Sequence, residues 1–242
     1  MRRFIRLALG AMGAILITTA SLLTIREART EAAYQKLGEQ AAESRDAKTD
    51  PSRDWRKILT QNEEAVGWIT VGQTPIDYPV VQPGTSTPED YYLSHNFWRQ
   101  ADAAGCPYLD VRSCAAGAHT MIFGHRLGMT DRMFGPLNRA WKATVFETIG
   151  AARLETPREV FEFSPLCALR VDCDFADIQR FAFQSDEEVR AWLSGIVRQA
   201  SARCGNAEEL VMQAQRALTL VTCAGIRNGG RERTLVVFVS SA

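Results

Sequence analysis

The sequence predicts a mainly β domain, either a barrel or a sandwich, behind an apolar N-terminal segment. From Trp55 onward the chain contains many short runs rich in β-branched and aromatic residues, separated by turn residues, a spacing typical of closed or two-layer sheets. The first two runs are VGWITV at 66–71 and IDYPVV at 76–81. With 242 residues, 46% of them apolar, the chain is long enough for a substantial core.

The overall charge argues against a protein that binds nucleic acid. The 28 basic and 28 acidic side chains give a formal net charge of zero. A protein that binds DNA or RNA through the phosphates needs an excess of positive charge on its binding surface. We therefore expect no nucleic-acid partner.

An uncharged segment near the N-terminus predicts a membrane anchor. Residues 7–25 carry no charged side chain, and a helix needs about 20 apolar residues to cross a bilayer. Arg2, Arg3 and Arg6 precede this segment, and basic residues tend to stay on the cytoplasmic side. The sequence therefore predicts an uncleaved signal-anchor over 1–25, which makes the chain a single-pass protein of the cell membrane with the rest outside the cell.

A cleaved signal peptide is the alternative interpretation of the same segment. The small residues TTAS at 18–21 are similar to a cleavage site. The apolar run is longer than the apolar core of most signal peptides, which favours the anchor.

Residues 26–54 are predicted to form a stalk or an N-terminal helix exposed to solvent. They are rich in Arg, Glu, Ala, Lys and Asp and contain almost no large apolar side chains, a composition that suits a solvated spacer. The predicted organisation is therefore a cytoplasmic tip and anchor at 1–25, a spacer at 26–54 and a folded β domain at 55–242.

Four further β-rich runs and one helix are predicted within the β domain. The runs are TMIFG at 120–124, ATVFETIG at 143–150, REVFEFSPL at 158–166 and RALTLVTC at 216–223. A helix is predicted over 185–203, because Ser185 and Glu188 form a capping box and the apolar residues that follow share one face. This helix lies between the late strands.

Six cysteines raise the question of disulfides or a metal site. They occupy positions 106, 114, 167, 173, 204 and 223. None belongs to a CxxC pair, so a structural zinc site is poorly supported, and no metal or other cofactor is expected. In an exported domain, Cys106 with Cys114 or Cys167 with Cys173 would close a short disulfide loop, although the sequence does not determine the connectivity.

Cys223 is the candidate nucleophile because of its position. It ends an apolar strand just before a glycine-rich loop, and His125 follows an apolar strand that breaks at Gly124. Arg231 and Arg233 introduce the strand TLVVFV, and antiparallel pairing with the strand that ends at Cys223 would bring an arginine beside the thiol. A thiol, an imidazole and a guanidinium at neighbouring strand ends suit acyl transfer through a thioester.

Six segments, taken in order, resemble the class B sortases, the membrane-anchored cysteine transpeptidases of the Gram-positive cell surface. They are VGWITV, IDYPVVQ, YYLSHNF, MIFGH with MFGPL behind it, TLVTC and RTLVV, and they span about residues 62–239. The resemblance implies a closed sortase-type β-barrel of about eight strands, with an N-terminal helix and one inserted helix between late strands. It also implies that residues 55–242 are the catalytic domain.

The resemblance assigns roles to the three residues of the candidate site. Cys223 matches the nucleophile that forms a thioester with a sorting signal, and His125 matches the general acid and base. Arg233 matches the arginine that stabilises the substrate backbone and the oxyanion. Arg231 is its rival, since side chains two residues apart on a strand face the same way.

Other residues near the candidate site receive secondary roles. Thr222 and Leu220 of TLVTC, together with His95 of YYLSHNF, are the predicted substrate-binding residues. His95 is interpreted mainly as structural and close to the site. His119 is interpreted as an exposed loop residue.

The partners implied by the resemblance are a sorting-signal peptide of a secreted surface protein and an amine acceptor, either a cell-wall precursor or a pilin lysine. The N-terminal helix would hold the protein in the membrane, as a monomer. Two other functions remain open. The same site would serve a cysteine peptidase that acts mainly as a hydrolase. A noncatalytic surface-binding barrel would instead keep Cys223 as a core residue or a disulfide partner.

Overall fold

Eight strands close into a barrel in the computed structural model of the chain. The structure describes residues 12, 18, 25–26, 28–42, 53–127, 130–224 and 230–241. The described residues form nine strands, eight in the barrel and one beside it. They are β1 (Ala65–Val71), β2 (Asp77–Val81), β3 (Tyr108–Leu109), β4 (His119–Phe123), β5 (Ala152–Glu155), β6 (Val160–Asp172), β7 (Ala202–Arg203), β8 (Arg216–Cys223) and β9 (Glu232–Ser240). The predicted mainly β fold is thereby confirmed.

The strand order is β5-β1-β2-β3-β4-β8-β9-β6, and pairing of β6 with β5 closes the ring. The two-residue strand β7 adds to β6 outside this ring. Most neighbours are antiparallel, but β2 pairs with β3 and β4 pairs with β8 in parallel. The prediction of a closed barrel of about eight strands is therefore correct.

Besides three short 3-10 helices, the described part of the chain contains five α-helices. They are α1 (helical residues 28–42), α2 (Trp55–Gln61), α3 (Ala143–Phe146), α4 (Asp186–Arg198) and α5 (Ala207–Gln213). The predicted inserted helix is α4: the side chain of Ser185 caps it by accepting a hydrogen bond from the backbone N–H of Glu188. It ends earlier than predicted, and residues 202–203 form β7.

The run ATVFETIG, predicted as a strand, is instead the helix α3 followed by a turn. Phe146 and Ile149 are both buried, and residues three apart share a face of a helical turn but not of a strand. β-branched residues indicated a strand here, but the spacing of the two buried side chains decides in favour of a helical turn.

Two cores lie on opposite faces of the sheet, and β8 contributes to both. Leu218 and Leu220 point into the barrel interior. Ala217 and Val221 point outward, into a second core formed with α4 and α5. This alternation follows from the period of two along a strand, and it decides which side chains of β8 reach the outer surface.

The N-terminal helix α1 packs on the barrel, contrary to the solvated spacer predicted for residues 26–54. Tyr34, Leu37 and Ala41 are 1%, 2% and 0% exposed. Spacings of three and four residues align these side chains in one stripe along the helix. The polar composition of residues 26–54 indicated a solvated segment, but a narrow apolar stripe is enough for a helix to pack on the barrel. The bounds of the three predicted regions stay a prediction.

The structure does not support the predicted single-pass membrane protein. Among the described residues, no helix is long and apolar enough to cross a membrane. Most of the segment 7–25, on which the prediction depends, lies outside the described residues.

The disulfides considered for an exported domain are not formed. All six cysteines lie in the described part of the chain, and each is a free thiol. Cys106 and Cys167 are buried, and this burial raises the pKa of Cys167 to about 12, which keeps the thiol protonated and unreactive. Cys114 and Cys173 are exposed, so neither short loop is closed.

Candidate active site

Cys223, the last residue of β8, lies directly opposite Arg233 of β9. Directly opposed residues of an antiparallel pair project from the same face, with their Cβ atoms about 5 Å apart. Cys223 shares the outward orientation of Val221, and it is half-buried and unbonded to other sulfurs. The thiol is therefore at a strand end, on the outer face, beside a guanidinium.

The two candidate arginines differ in what they bind. Arg231 donates hydrogen bonds to Asp172, at 2.6 and 3.1 Å, and to Asp174, at 2.9 Å. This pairing lowers the pKa of Asp172 to about 2. Arg233 Nη1 instead donates to the backbone carbonyls of Gly230 and Glu232, at 2.6 and 3.1 Å. The guanidinium opposite the thiol thus keeps a positive charge that no carboxylate among the described residues neutralises.

His125 follows the end of β4, the parallel neighbour of β8. The last pair of that ladder is Phe123 with Val221, and the backbone N–H of Gly124 extends it by donating to the carbonyl of Val221, at 3.0 Å. His125 and Cys223 each lie two residues beyond that pair, and neighbouring strands are about 4.8 Å apart. The three predicted catalytic residues therefore lie at neighbouring ends of β4, β8 and β9.

Gly124 is required where the chain turns from β4 to His125. A Cβ at this position would lie 2.4 Å from two carbon atoms of the Phe134 ring. The backbone N–H of Phe134 in turn donates to the carbonyl of His125, at 3.0 Å. The segments MIFGH and MFGPL therefore pack on each other, and the absence of a side chain at Gly124 permits the contact.

Two cavities on the outer face meet at Phe123 and Arg112, which line both. The smaller, of about 270 Å³, is bounded by Val221 and Arg233, so it lies immediately beside the candidate nucleophile. Most of its other walls are apolar, from Met121, Val171, Phe175, Ile178 and Leu235, and the rest come from Asp172, Cys173 and Gln179. The larger, of about 490 Å³, lies beyond Phe123 and has an acidic rim. Together they form a groove on the outer face, and its apolar part is bounded by the residues next to Cys223 and opposite it, Val221 and Arg233.

Tyr108 of β3 is part of this groove. Its ring stacks on that of Phe123, with centroids 5.3 Å apart. Burial and the nearby Asp110 raise its pKa to about 12, and the charge of Arg233 acts in the opposite direction. The phenol is therefore a neutral donor at physiological pH. Sequence reasoning did not find it, since a tyrosine at the end of a two-residue strand carries no pattern.

The prediction that His119 is an exposed loop residue is wrong. His119 begins β4 and is 1% exposed. Its Nδ1 lies 2.8 Å from the carbonyl oxygen of Arg180, and its Nε2 lies 2.8 Å from Oγ1 of Thr219. The ring also packs against Phe181 and Trp192. Burial lowers its pKa to about 4. The neutral ring of His119 therefore joins β8 to the segment before α4. That segment forms one wall of the smaller cavity.

The remaining predicted residues are arranged differently from expectation. Leu220 and Thr222 are 0% and 2% exposed. Residues alternate between the two faces of a strand, and Val221 and Cys223 lie on the outer face. Leu220 and Thr222 therefore point into the barrel interior, where a substrate cannot contact them. His95 stacks on Tyr91, with ring centroids 3.9 Å apart, and its Nδ1 lies 2.9 Å from the carbonyl oxygen of Tyr91. Its contacts are therefore within its own loop.

Sequence comparisons find sortases. No family model matches the chain. The chain is 28% identical over 176 residues to a sortase B of Listeria monocytogenes, an alignment that covers 72% of this chain and 67% of the relative. It is 25% identical over 178 residues to a sortase B of Staphylococcus aureus, with 73% of this chain and 70% of that one covered.

Solved structures of sortase B share the fold. A Staphylococcus aureus sortase B–substrate complex matches with a TM-score of 0.73 at 21% identity, over 89% of this chain and 97% of that chain. A sortase B complexed with triglycine matches with a TM-score of 0.72 at 22% identity, over 88% and 97%. The resemblance found in the sequence is thereby confirmed: the chain is similar to sortase B proteins over most of its length and has the sortase fold.

Proposed function

We propose that the chain is a sortase-type transpeptidase, in which Cys223 cleaves a sorting signal through a thioester and transfers the acyl group to an amine. The observation that carries the proposal is the pairing of Cys223 with Arg233 across β8 and β9, next to the end of β4 that bears His125. A thiol that is half-buried and unbridged at a groove is available for covalent chemistry.

In the first half-reaction the thiolate of Cys223 attacks the carbonyl carbon of the scissile peptide bond. The oxyanion that forms lies beside Arg233, whose positive charge is fixed and permanent. As the C–N bond breaks, the imidazolium of His125 gives its proton to the leaving amine. A thioester on Cys223 and a neutral imidazole remain.

In the second half-reaction an amine attacks the thioester carbon. His125 takes the proton that the amine releases, the C–S bond breaks, and Cys223 returns as the thiolate. A new amide bond leaves the site. The groove supports this two-substrate scheme, since its apolar cavity beside Val221 suits the acyl donor and its part beyond Phe123 is open to the neutral amine that attacks.

The partners proposed for the chain follow its relatives. One matched sortase B is described in complex with a substrate, and another in complex with triglycine, a peptide with a free amino group. A sorting-signal peptide and a primary-amine acceptor are therefore the proposed partners here, and a monomer is the proposed active form.

The test uses the full chain, a library of sorting-like peptides and a set of candidate amines. Mass spectrometry is expected to find an acyl adduct on Cys223 and, with the correct amine, a transfer product. The matched control is Cys114→Ala, which removes an exposed thiol outside both cavities and is expected to retain the adduct, whereas Cys223→Ala loses it. Hydrolysed peptide alone with every amine would identify a hydrolase, and the absence of any adduct would favour a noncatalytic binding barrel.

A further inference from the structure

One edge of the His125 ring rests on the loop between β2 and β3. Nε2 lies 2.7 Å from the carbonyl oxygen of Leu93. The adjacent ring carbon, Cδ2, lies so close to Gly105 that a Cβ on that glycine would come within 3.1 Å of it. Leu93 and Gly105 thus form a seat for the Cδ2–Nε2 edge, and Nδ1 lies on the opposite edge of the imidazole.

The contact with Leu93 determines where the ring carries its proton. A carbonyl oxygen only accepts hydrogen bonds, so Nε2 must carry the hydrogen that it shares with Leu93. In the neutral ring the lone pair is then on Nδ1. Of the two ring nitrogens, Nδ1 is therefore the one that can exchange a proton with a reacting amine.

The loop that carries Leu93 and Gly105 is held in place by α1. The hydroxyl of Tyr34 accepts a hydrogen bond from the backbone N–H of Phe97, at 3.1 Å, and donates one to the carbonyl of Gly105, at 3.2 Å. A second contact joins the same helix to the same loop, since Oγ1 of Thr30 donates to Asp102, at 2.8 Å. The loop that supports His125 is therefore fixed at both of its halves by a helix outside the barrel.

Gly105 allows this arrangement because of its backbone conformation. Its φ of +62° is in the left-handed region, and a Cβ there would lie 2.3 Å from the carbonyl oxygen of Tyr92. The two ends of the loop consequently touch: the backbone N–H of Cys106 donates to Tyr92, the residue before Leu93. A shift of Gly105 is therefore transmitted to Leu93 through backbone contacts.

The Tyr34 hydroxyl can be removed without removing the side chain's packing. Tyr34 is 1% exposed, and its ring contacts Tyr78 edge-on, with centroids 5.4 Å apart, and Trp98 at 5.1 Å. A phenylalanine keeps these ring contacts. Burial raises the pKa of Tyr34 well above its ordinary value, so the hydroxyl stays protonated and available as a donor over the working pH range.

We propose that Tyr34 is a positioning residue for the transpeptidase reaction: through the loop over 92–106 it holds the carbonyl of Leu93 against Nε2 of His125 and so assigns proton transfer to Nδ1. In acylation Nδ1–H protonates the leaving amine as the C–N bond breaks. In deacylation the lone pair of Nδ1 takes the proton of the attacking amine as the C–S bond breaks, and Nε2 keeps its proton throughout. The inference rests on the role proposed above for His125.

The first arm of the test reads the tautomer directly and needs no turnover. In the full chain labelled with ¹⁵N-histidine, the resonances of His125 are assigned by their loss in His125→Gln. We expect the neutral ring to be protonated on Nε2 in the unmodified chain and to populate both tautomers in Tyr34→Phe. A neutral ring protonated on Nδ1, or a tautomer unchanged by Tyr34→Phe, would overturn the proposal even if the chain is an active transpeptidase.

The second arm measures kinetics against a stability control. Tyr34→Phe is expected to lower kcat about tenfold and to alter the pH profile of kcat, with a change in peptide KM of less than about twofold, because misplacement of a catalytic group costs up to about 10²-fold. Ile196→Val removes one buried methylene from α4, in the other core, and is expected to lose comparable stability with neither effect. Equal kinetic losses in both variants with an unchanged pH profile would contradict a positioning role.

Discussion

Cys223 and Arg233 are directly opposed across β8 and β9, and the register of that pair, not the spacing of residues in the sequence, distinguishes the two candidate arginines. Arg231 lies two residues away on the same chain segment and binds two aspartates, one at the end of β6 and one just beyond it. The distinction can be measured, since Arg233 lies opposite Cys223 whereas Arg231 is neutralised by carboxylates.

Arg233→Ala is expected to lower kcat about 10²–10³-fold, the usual cost of removing one donor to an oxyanion. The matched control is Arg231→Ala, for which we expect less than about a threefold change, because an exposed ion pair contributes little. The measurement is the rate of adduct formation on Cys223 with a single peptide. Equal losses in the two variants would assign the oxyanion role to neither arginine alone.

Folding stability is expected to decrease as the pH falls from about 6.5 to about 4, because of His119. Burial lowers the pKa of the folded ring to about 4, whereas the unfolded ring titrates near 6.5. Between these values the unfolded chain binds a proton that the folded chain does not, so the stabilisation is complete above pH 6.5 and is lost by about pH 4. A difference of this size corresponds to at most about 3 kcal/mol.

Denaturant unfolding at pH 7 and at pH 4.5 measures this dependence. His119→Asn keeps a donor toward the carbonyl of Arg180 but cannot titrate, so the fall in the free energy of unfolding between the two pH values should be smaller in this variant. The carboxylates whose pKa values are lowered, Glu64, Asp110, Asp172 and Glu187, contribute mainly below that window. An identical fall in both proteins would show that the buried imidazole does not control it.

Gly124→Ala is expected to destabilise the fold by about 1–3 kcal/mol, because the added methyl group meets the ring of Phe134 in a packed core. Gly205→Ala is a matched control, since a Cβ there has nothing within 4 Å. Thermal unfolding compares the two. Combining Gly124→Ala with Phe134→Leu should cost less than the sum of the single changes, and strict additivity would argue against the contact.

Thr222→Val is expected to leave the free energy of unfolding unchanged or to raise it by up to about 1 kcal/mol. Oγ1 of Thr222 is buried, and among the described residues it has no hydrogen-bond partner, so a methyl group of the same shape removes a desolvation cost. Because the side chain points into the barrel, kcat should change less than about threefold. A loss of activity as large as that of Arg233→Ala would mean that the hydroxyl acts in the reaction.

Strand patterns and short motifs in the sequence were sufficient to predict the barrel and the inserted helix. The catalytic roles of Cys223, His125 and Arg233 stay a prediction, which the neighbouring positions of β4, β8 and β9 support. The motif assigns Leu220 and Thr222 to the substrate, although the period of two along β8 turns both side chains toward the interior. Motif membership alone does not give the direction of a side chain.

Other features depend on contacts between segments that are distant in sequence. His119 is buried by Phe181 and Trp192, and neither lies near it in the chain. The docking of α1 rests on a stripe that includes Tyr34 and Leu37, which a composition average over residues 26–54 conceals. The choice between Arg231 and Arg233 required Asp172 and Asp174, whose positions are fixed only when β6 pairs with β9.

The parallel ladder of β4 and β8 joins residues nearly one hundred positions apart, such as His119 and Ala217. Contacts of such long range form late and together in folding. In a partly folded chain the side chains of Cys223, His125 and Arg233 are therefore far apart. The thiol then has the reactivity of an ordinary surface cysteine. Reactivity of Cys223 toward a peptide carbonyl would then report closure of the barrel. Acylation of this thiol is therefore a sensitive measure of whether the whole barrel has assembled.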